Sequence, residues 1–194
     1  ADGYGHGAVT VAKAAIKGGA SSLGVATLQE GLELRAAGIN APILLLSALH
    51  SADELTRCHE RGLMPTLSSL EEANLCDRIS AERGGEPFPV QLKVDTGMSR
   101  LGADWRGGAE LVQSIRALPN LKLVGLYSHL ACADIEENAT TRLQHDRFNS
   151  VINALPDQGR DLCCHLANSA GTLDGHELHL DMVRVGLALY GQRP

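Results

Sequence analysis

The sequence is poor in aromatic residues and lacks any long apolar run. Aromatic residues make up 3% of its 194 residues, and no apolar stretch approaches the roughly 20 residues that a membrane-spanning helix needs. Acidic residues outnumber basic ones and give a formal net charge of -6, so the overall field does not favour nucleic acids or anionic membranes. The first residues, ADGYGHG, do not resemble a signal peptide. These features predict a soluble globular protein, long enough for one domain with a substantial core.

Cysteine occurs without a disulfide or metal-binding pattern. An odd number, irregular spacing and the absence of C-x-x-C favour reduced thiols in a cytoplasmic protein; the five are Cys58, Cys76, Cys132, Cys163 and Cys164. Two groups could supply metal ligands, Cys163-Cys164-His165 and His176-x-x-His179. Neither has the spacing of a known metal motif, so we predict no metal site.

Short apolar runs alternate with helix signals along the chain. Three capping boxes, Thr27–Glu30, Ser51–Glu54 and Ser69–Glu72, each open a helix directly after an apolar run. We predict strands at residues 22–26, 42–49, 63–68, 90–95, 121–129, 162–166 and 180–186. We predict helices at residues 8–17, 27–37, 51–60, 69–83, 107–117 and 139–155, with a last helical turn at 187–190. The long helix at 139–155 is expected to turn Leu143, Phe148, Val151, Ile152 and Leu155 inward.

This alternation predicts an α/β fold with a parallel sheet. Both an open doubly wound sheet and a (β/α)8 barrel fit the order of the elements. A barrel usually needs about 250 residues. Seven strand–helix units in 194 residues therefore suggest a barrel that lacks its first strand.

The stretch VQLKVDTGMSRLG, residues 90–102, carries charge where a buried strand ends. Lys93 and Asp95 interrupt an apolar run, and Arg100 follows within one loop. Burying a charge is costly unless it is paired, so we expect these three side chains to pair with one another or with a ligand. The alternative is a strand end that carries an ordinary surface ion pair.

Other polar side chains also follow predicted strands. In a barrel, the carboxyl ends of all strands face one mouth, where catalytic residues lie; the candidates there are Tyr4, His6, His129, Asn168, Ser169, Arg184 and Gly186. The glycines around Tyr4 and His6 match neither G-x-G-x-x-G nor the P-loop, which argues against a nucleotide site. Donor groups near the last two strands match the phosphate site common in barrels.

Six segments together resemble the alanine racemase family. They are ADGYGHGA, GVATLQEGLELRAAGI, LKVDTGMSRLG, SHLACAD, HLANSAG and DMVRVGLALYG. They follow one another in the family's order and spacing and cover essentially the whole chain. The resemblance implies the N-terminal (β/α)8 barrel of fold-type III enzymes that bind pyridoxal 5'-phosphate (PLP), here over residues 1–194 without the first strand.

The resemblance implies contacts to this cofactor. Arg184 would face the pyridine nitrogen. The remaining cofactor residues would be Tyr4, Ser169 and the backbone of Gly186 and Leu187 at the phosphate, and His129 and Asn168 beside the ring. Because a guanidinium only donates hydrogen bonds and keeps its proton, the ring nitrogen would stay largely unprotonated and PLP would be a weaker electron sink.

The resemblance also implies the substrate contacts and the reaction. Arg100 would bind the substrate carboxylate, and Lys93 matches a lysine that is carbamylated in some members, where it braces that arginine. The activity implied is an isomerase reaction, the interconversion of L- and D-alanine through a PLP Schiff base by two-base proton transfer. It would supply D-alanine for cell-wall peptidoglycan.

The sequence departs from the family pattern at both ends. The family places its cofactor lysine immediately before the position of Ala1, and a C-terminal β-domain supplies a second catalytic tyrosine across a homodimer interface. Neither is present, so we expect this fragment alone to be inactive. Two other functions stay open: a serine or broad-specificity racemase on the same scaffold, and a PLP-binding barrel without catalysis.

Overall fold

In the described part of the chain, seven strands form the framework of the protein, and every paired strand runs parallel to its neighbour. The computed structural model describes residues 2–135 and 139–194. Its strands are β1 (Leu23–Val25), β2 (Ile43–Leu45), β3 (Thr66–Leu67), β4 (Phe88–Asp95), β5 (Ala103–Asp104), β6 (Leu121–Tyr127) and β7 (Cys163–His165). Parallel pairing with helices in between confirms the predicted α/β class.

Apart from β5, which pairs with β4 at its side, the strands lie next to one another in the order of the sequence. β1 pairs with β2, and β3, β4, β6 and β7 form a continuous sheet. The backbone of Met64 joins the two parts through hydrogen bonds with Ile43 and Leu45 (2.9 and 2.8 Å), and a bridge from β7 to Met182 extends the far side. This is the strand order of a (β/α)8 barrel, but the barrel is not closed: in the described residues no ladder joins β1 to Met182.

Helices connect the strands and close over the outside of the sheet. They span Ala8–Lys17, Leu28–Ala36, Ala52–Glu60, Leu70–Arg83, Gly108–Arg116, Ala139–Asn153 and Ser169–Asp174. Single 3-10 turns lie at Trp105–Gly107, His176–Leu178 and Leu187–Tyr190. Across the described ranges, no helix is both long and apolar enough to cross a membrane.

The capping boxes form as local signals predict, with one variation. Thr27 and Ser51 each exchange hydrogen bonds with the glutamate three residues later. Ser69 accepts from the backbone of Glu72, but the Glu72 carboxylate accepts from the backbone N–H of Ser68 instead (2.6 Å). The helix start is the same, because both arrangements occupy backbone donors that a helix leaves unpaired.

Two predictions about the second half of the chain are wrong. The segment 180–186 is not a strand: Leu180 has a φ of 50°, and the chain after it forms an isolated parallel bridge with β7 at Met182 rather than a ladder. The Arg184 N–H then bonds to the Ala167 carbonyl (3.0 Å), past the end of β7. Leu143 is 47% exposed, whereas Gln144 beside it is buried because its amide binds backbone groups within the fold. The short strand β5 was not predicted either.

The two faces of the sheet differ in polarity. The apolar core packs between the sheet and the helices and includes Ile43, Leu45, Val90, Leu92 and Phe148. Buried polar residues form a layer on the opposite, inner face, namely Thr66, Gln91, Lys93, Tyr127 and His165. This layer leads to the carboxyl ends of the strands, where the candidate site lies.

The opposite end of the strands is fixed by Arg35. Its guanidinium donates to four backbone carbonyls, those of Ile39, Ala41, Arg61 and Gly62, at 2.6–2.9 Å. These carbonyls lie in the connections that enter β2 and β3. Arg35 therefore holds two connections together at the amino ends of the strands.

The five cysteines all lie in the described ranges, and none of them is disulfide-bonded. Burial raises the pKa of Cys58 above its ordinary value and raises that of Cys76 to about 12. Their thiols are therefore protonated at neutral pH and have little nucleophilic character.

Candidate cofactor and substrate site

Three side chains stand in one row across neighbouring strands. Lys93 on β4 is the register partner of Tyr127 on β6, which is the partner of His165 on β7. Register partners in adjacent strands point to the same face of a sheet. The Tyr127 and His165 rings stack with centroids 4.7 Å apart, and the Lys93 Nζ lies 5.7 Å from the Tyr127 centroid. The row places a cation and two rings on the inner face near the rim.

Arg184 joins this row from the segment after β7. Its Nη1 donates to His165 Nδ1 (2.5 Å), and its Nη2 donates to the carbonyls of Ser128 (2.6 Å) and Leu166 (3.1 Å). Its guanidinium carbon lies 5.0 Å from the Tyr127 centroid. Burial lowers the pKa of Arg184 to about 10, so the group still carries its charge at neutral pH. All of these acceptors are neutral, so the positive charge is not cancelled.

The contact with Arg184 fixes the state of His165. A guanidinium can only donate, so His165 Nδ1 must accept and the ring proton lies on Nε2. Nε2 in turn donates a hydrogen bond to Gln91 Oε1, which lies 2.7 Å away. Burial, with the Arg184 charge adding to it, lowers the pKa of His165 to about 2. His165 is thus a neutral support for the guanidinium.

His129 is a second neutral imidazole beside Arg184. Its Nδ1 lies 3.3 Å from Arg184 Nη2 and accepts from it. Burial lowers the pKa of His129 to about 4, and the charges of Arg184, Lys93 and Arg100 add to the effect. The ring is therefore neutral at pH 7, with its proton on Nε2.

Lys93 is buried among cations. Burial lowers the pKa of Lys93 to about 8, helped by Arg100 and Arg184 and opposed by Asp95. Among the described residues, no acidic side chain forms an ion pair with Lys93, Arg100 or Arg184. An amine with this pKa is partly neutral at pH 7–8, which makes it more nucleophilic than an ordinary lysine.

Asp95 does not pair with Lys93 or Arg100, contrary to one of the two expectations from sequence. Its Oδ1 accepts from the N–H groups of Gly97 (2.9 Å) and Ser99 (3.0 Å). The carboxylate therefore shapes the loop after β4. The alternative of an ordinary surface ion pair at this strand end is not observed in the described part of the chain.

The loop 96–102, which carries Arg100, is fixed at both of its ends. The chain returns to β4 through β5, where Ala103 pairs with Val94. Gly102 has a φ of +126°, and a Cβ there would lie 2.7 Å from the Asp95 nitrogen, so only glycine allows this close approach. Arg100 itself is exposed. A fixed loop thus presents an exposed guanidinium at the rim.

A cluster of hydrogen-bonding groups lies beside Arg184. Ser169 Oγ accepts from the N–H groups of Gly186 (3.0 Å) and Ala188 (3.2 Å). The Tyr4 hydroxyl lies 2.5 Å from the position that a Cβ on Gly186 would take, so a side chain there would displace it. Tyr4, Ser169 and Gly186 are therefore brought together, as the sequence predicts, and Leu187 begins the 3-10 turn that follows.

Tyr190 contacts two rings of the amino-terminal segment. The Tyr4 ring centroid lies 5.0 Å from that of Tyr190, and the His6 ring stacks on Tyr190 with centroids 4.7 Å apart. Tyr4 is 60% exposed. These contacts anchor the amino-terminal segment, which has left-handed φ values at Gly3 and Tyr4, against the last turn of the chain.

Asn168 supports the site through the backbone. Its Oδ1 accepts from the Gly171 N–H (3.0 Å) and caps the helix that begins with Ser169. Its Nδ2 donates to the Leu130 carbonyl (3.4 Å). This side chain therefore links the helix to the segment after β6.

Sequence reasoning missed the polar layer below the rim. Tyr127, Gln91 and Thr66 join in it: Tyr127 Oη lies 2.7 Å from Thr66 Oγ1, which donates to the Leu45 carbonyl (2.6 Å). The signal was present in β4, where Gln91 and Lys93 are two residues apart and so share one face.

In the described ranges, no three His, Cys, Asp or Glu side chains are grouped as a metal site would require.

Comparisons with known proteins agree along the whole chain. The family model described as "Alanine racemase, N-terminal domain" matches residues 1–194. The alanine racemase of Prochlorococcus marinus is 55% identical over 198 residues, covering 100% of this chain and 51% of that protein. The alanine racemase of a Synechocystis species is 50% identical over 195 residues, with 100% and 52% covered. The chain thus spans about half the length of these relatives.

Solved structures give the same result. An alanine racemase of Clostridium difficile in complex with cycloserine superposes with a TM-score of 0.93 at 34% identity, covering 100% of this chain and 53% of that one. The alanine racemase of D-cycloserine-producing Streptomyces lavendulae gives 0.89 at 37% identity, with 100% and 51% covered. Fold and sequence together place this protein in one family: the chain belongs to the alanine racemase N-terminal domain family.

Proposed function

We propose that the full-length protein is a PLP-dependent isomerase that interconverts L- and D-alanine. The observation that carries the proposal is the group of cations Lys93, Arg100 and Arg184, which has no acidic ion-pair partner among the described residues. It lies beside a cluster of hydroxyl and N–H groups at one rim. Such a rim suits a ligand with two anionic parts, one a phosphate and the other a carboxylate. The membership of the family supports the same assignment.

The residues of the rim fit PLP. Phosphate oxygens accept hydrogen bonds, and the hydroxyls of Tyr4 and Ser169 with the Leu187 N–H are donors suited to them. The Gly186 N–H, which donates to Ser169 Oγ in this structure, would turn to the phosphate when the cofactor binds. Gly186 has no side chain, and the Tyr4 hydroxyl occupies the space that one would fill. We therefore assign the phosphate to this cluster.

Arg184 would face the pyridine nitrogen, with His129 and Asn168 beside the ring. His165 and two carbonyls hold the guanidinium in one orientation, so a remaining N–H can point to an acceptor. When bound, PLP supplies an electron sink for a carbanion, and a donor-only partner keeps this sink weaker than a carboxylate partner would. His129 stays neutral and can donate through Nε2.

Arg100 would bind the substrate carboxylate. It has no acidic partner among the described residues, and its loop is fixed by Asp95 and Gly102. A guanidinium binds a carboxylate through two parallel hydrogen bonds, which would orient the amino acid at the rim.

Lys93 would brace Arg100 as a carbamate. Its neutral amine attacks carbon dioxide, a C–N bond forms and one proton is released to solvent. The site cation becomes an anion between two arginines. The lowered pKa of Lys93 supports this, because it raises the fraction of neutral amine at pH 7–8.

The two proton-transfer groups would come from outside the described residues. We place the cofactor lysine immediately before Ala1, a residue that the structure does not describe. We place the second base, a tyrosine, in a C-terminal β-domain of a partner subunit. On this proposal residues 1–194 form the barrel domain, the enzyme works as a homodimer in the cytoplasm, and residues 1–194 alone do not racemise alanine. The product would be D-alanine for peptidoglycan.

The test is a racemase assay of the full-length protein. With PLP added, chiral chromatography should show L- and D-alanine converting to the same mixture from either side, and serine should react much more slowly. No interconversion of alanine, or a preference for serine, would contradict the proposal.

A further inference from the structure

Gln144 is a fully buried amide on a helix that also packs Thr141, Phe148 and Val151 inward. It is 0% exposed, and it lies in the helix Ala139–Asn153, behind the rim. Buried polar groups are almost always hydrogen-bonded. The partners of this amide therefore show what the helix holds.

The amide bonds to both segments that carry rim residues. Its Nε2 donates to the His129 carbonyl (2.8 Å), and its Oε1 accepts from the Ala131 N–H (2.8 Å). The same Nε2 lies 3.3 Å from Thr96 Oγ1 in the loop that carries Arg100. One side chain thus contacts the segment after β6 and the loop after β4.

Neighbouring contacts strengthen this link. Thr96 Oγ1 is 2.8 Å from Ser128 Oγ, a second bond between the two segments. Arg147, one turn further along the helix, donates to the Thr96 carbonyl (2.8 Å). A Cβ on Gly97 would lie 3.3 Å from Gln144 Cγ, so the loop packs directly on the glutamine.

We propose that Gln144 is a positioning residue that sets the loop 96–102, and with it Arg100, against the segment that carries His129. This rests on the proposed function, in which Arg100 binds the substrate carboxylate beside the cofactor. Losing the amide removes its bonds to the loop and to the segment after β6, which weakens the hold of the helix on the loop although Arg147 still donates to the Thr96 carbonyl. Asp95 still shapes the loop from within. The carboxylate contact then loses its alignment.

The experiment uses the full-length enzyme with Gln144→Met, which keeps length and volume but makes none of the three hydrogen bonds. We expect kcat/KM for alanine to fall about 10-fold, mostly through KM, because misplacing a binding group weakens an oriented contact. Val151→Ala is the matched control: it is equally buried on the same helix but contacts Gly108, so it should lower stability and leave KM unchanged.

A double-mutant cycle shows whether Gln144 acts through Arg100. A lysine is a flexible point charge that needs less precise placement than a guanidinium, so in an Arg100→Lys background Gln144→Met should cost no more than about 2-fold. An equal loss in both backgrounds, or a change in kcat alone, would overturn the proposal.

Hydrogen exchange gives a readout that does not depend on activity. Gln144→Met should speed amide exchange in peptides that cover residues 96–102 and 128–131, and Val151→Ala should not. Unchanged exchange in Gln144→Met would overturn the positioning role even if alanine is racemised. Faster exchange in a protein that does not racemise alanine would leave the positioning of the loop intact and contradict only the proposed function.

Discussion

Arg35 and Arg184 lie at opposite ends of the strands, and neither has an acidic partner among the described residues. Arg35 donates to four carbonyls in the connections that enter β2 and β3. Arg184 contacts two neutral histidines and two carbonyls, and its other neighbours include Lys93 and Arg100, which are also cations. The first arrangement is complete within the protein, whereas the second gathers cations that pair with no acidic side chain in the described part of the chain. We therefore expect one end of the strands to contribute mainly to stability and the other to ligand binding.

The largest effect that this comparison predicts is on catalysis by the full-length enzyme. Arg100→Ala should lower kcat/KM for alanine by roughly 100- to 1,000-fold, mainly through KM, because a bidentate carboxylate contact is lost. The urea midpoint of unfolding should not change, since Arg100 is exposed. Steady-state kinetics with urea titrations measure both. A kcat/KM within a few-fold of wild type would show that the free charge at the rim does not bind substrate.

The converse change should affect stability alone. Arg35→Ala should lower the free energy of unfolding by about 2 kcal/mol, because four carbonyls lose a charged donor while exposed ones regain water. KM and kcat should stay as in wild type, because Arg35 is at the far end of the strands. If Arg35→Ala instead raises KM for alanine, the amino ends of the strands also affect binding, and the proposed separation of stability from binding is wrong.

Histidine titration sharpens the account of the rim. The pKa values of His165 and His129 are lowered to about 2 and about 4 from an ordinary 6.5. The unfolded chain therefore binds protons below pH 6.5 that the folded chain does not, and stability should fall as pH drops from 6.5 towards 4. The slope should approach about 1.4 kcal/mol per pH unit for each histidine.

His165→Gln tests that assignment. It keeps a hydrogen-bonding side chain but removes one titrating group, so the fall in stability between pH 6.5 and 4 should be smaller than in wild type. Urea titrations across this range measure it. Parallel curves for variant and wild type would mean that His165 does not stay neutral in the folded protein.

The cations of the rim also predict an effect of Lys93 on stability at alkaline pH. Its pKa in the folded protein is about 8 against an ordinary 10.5, so between these values the unfolded chain binds a proton that the folded chain lacks. Stability should therefore gain from Lys93 as pH rises through this window, by up to about 1.4 kcal/mol per pH unit. In buffer free of carbon dioxide, Lys93→Met should lack this gain.

A control at the other end is Lys122, an exposed lysine on β6. Lys122→Met should leave the alkaline dependence of stability as in wild type. If the two lysine variants behave alike, Lys93 is not the group that titrates.

Local signals predicted much of the fold. The capping boxes at Thr27 and Ser51 act within four residues, so the sequence alone determines where those helices begin. The order of strands and helices follows from apolar runs and their spacing. The burial of Gln144 in place of Leu143 did not follow from spacing, because it depends on the backbone of the segment after β6 and on the Thr96 hydroxyl in the loop after β4.

Part of the candidate site was predictable, because some of its residues lie in local sequence patterns. Tyr4, Ser169 and Gly186 were found because they follow strand ends and match the family's segments. The role of His165 could not be predicted from sequence. It depends on hydrogen bonds to Arg184 and to Gln91, and both residues are far from His165 in the sequence. Asp95 was misjudged because a carboxylate near two cations suggests an ion pair, while two N–H groups in its own loop lie closer.

The most direct test of the account is a crystal structure of the full-length protein with PLP. We predict that the phosphate lies within hydrogen-bond distance of Tyr4 Oη, Ser169 Oγ and the Gly186 N–H, with the pyridine nitrogen at the Arg184 guanidinium. PLP bound elsewhere, or with its phosphate at Arg100 and its ring away from Arg184, would contradict the assignment of the rim.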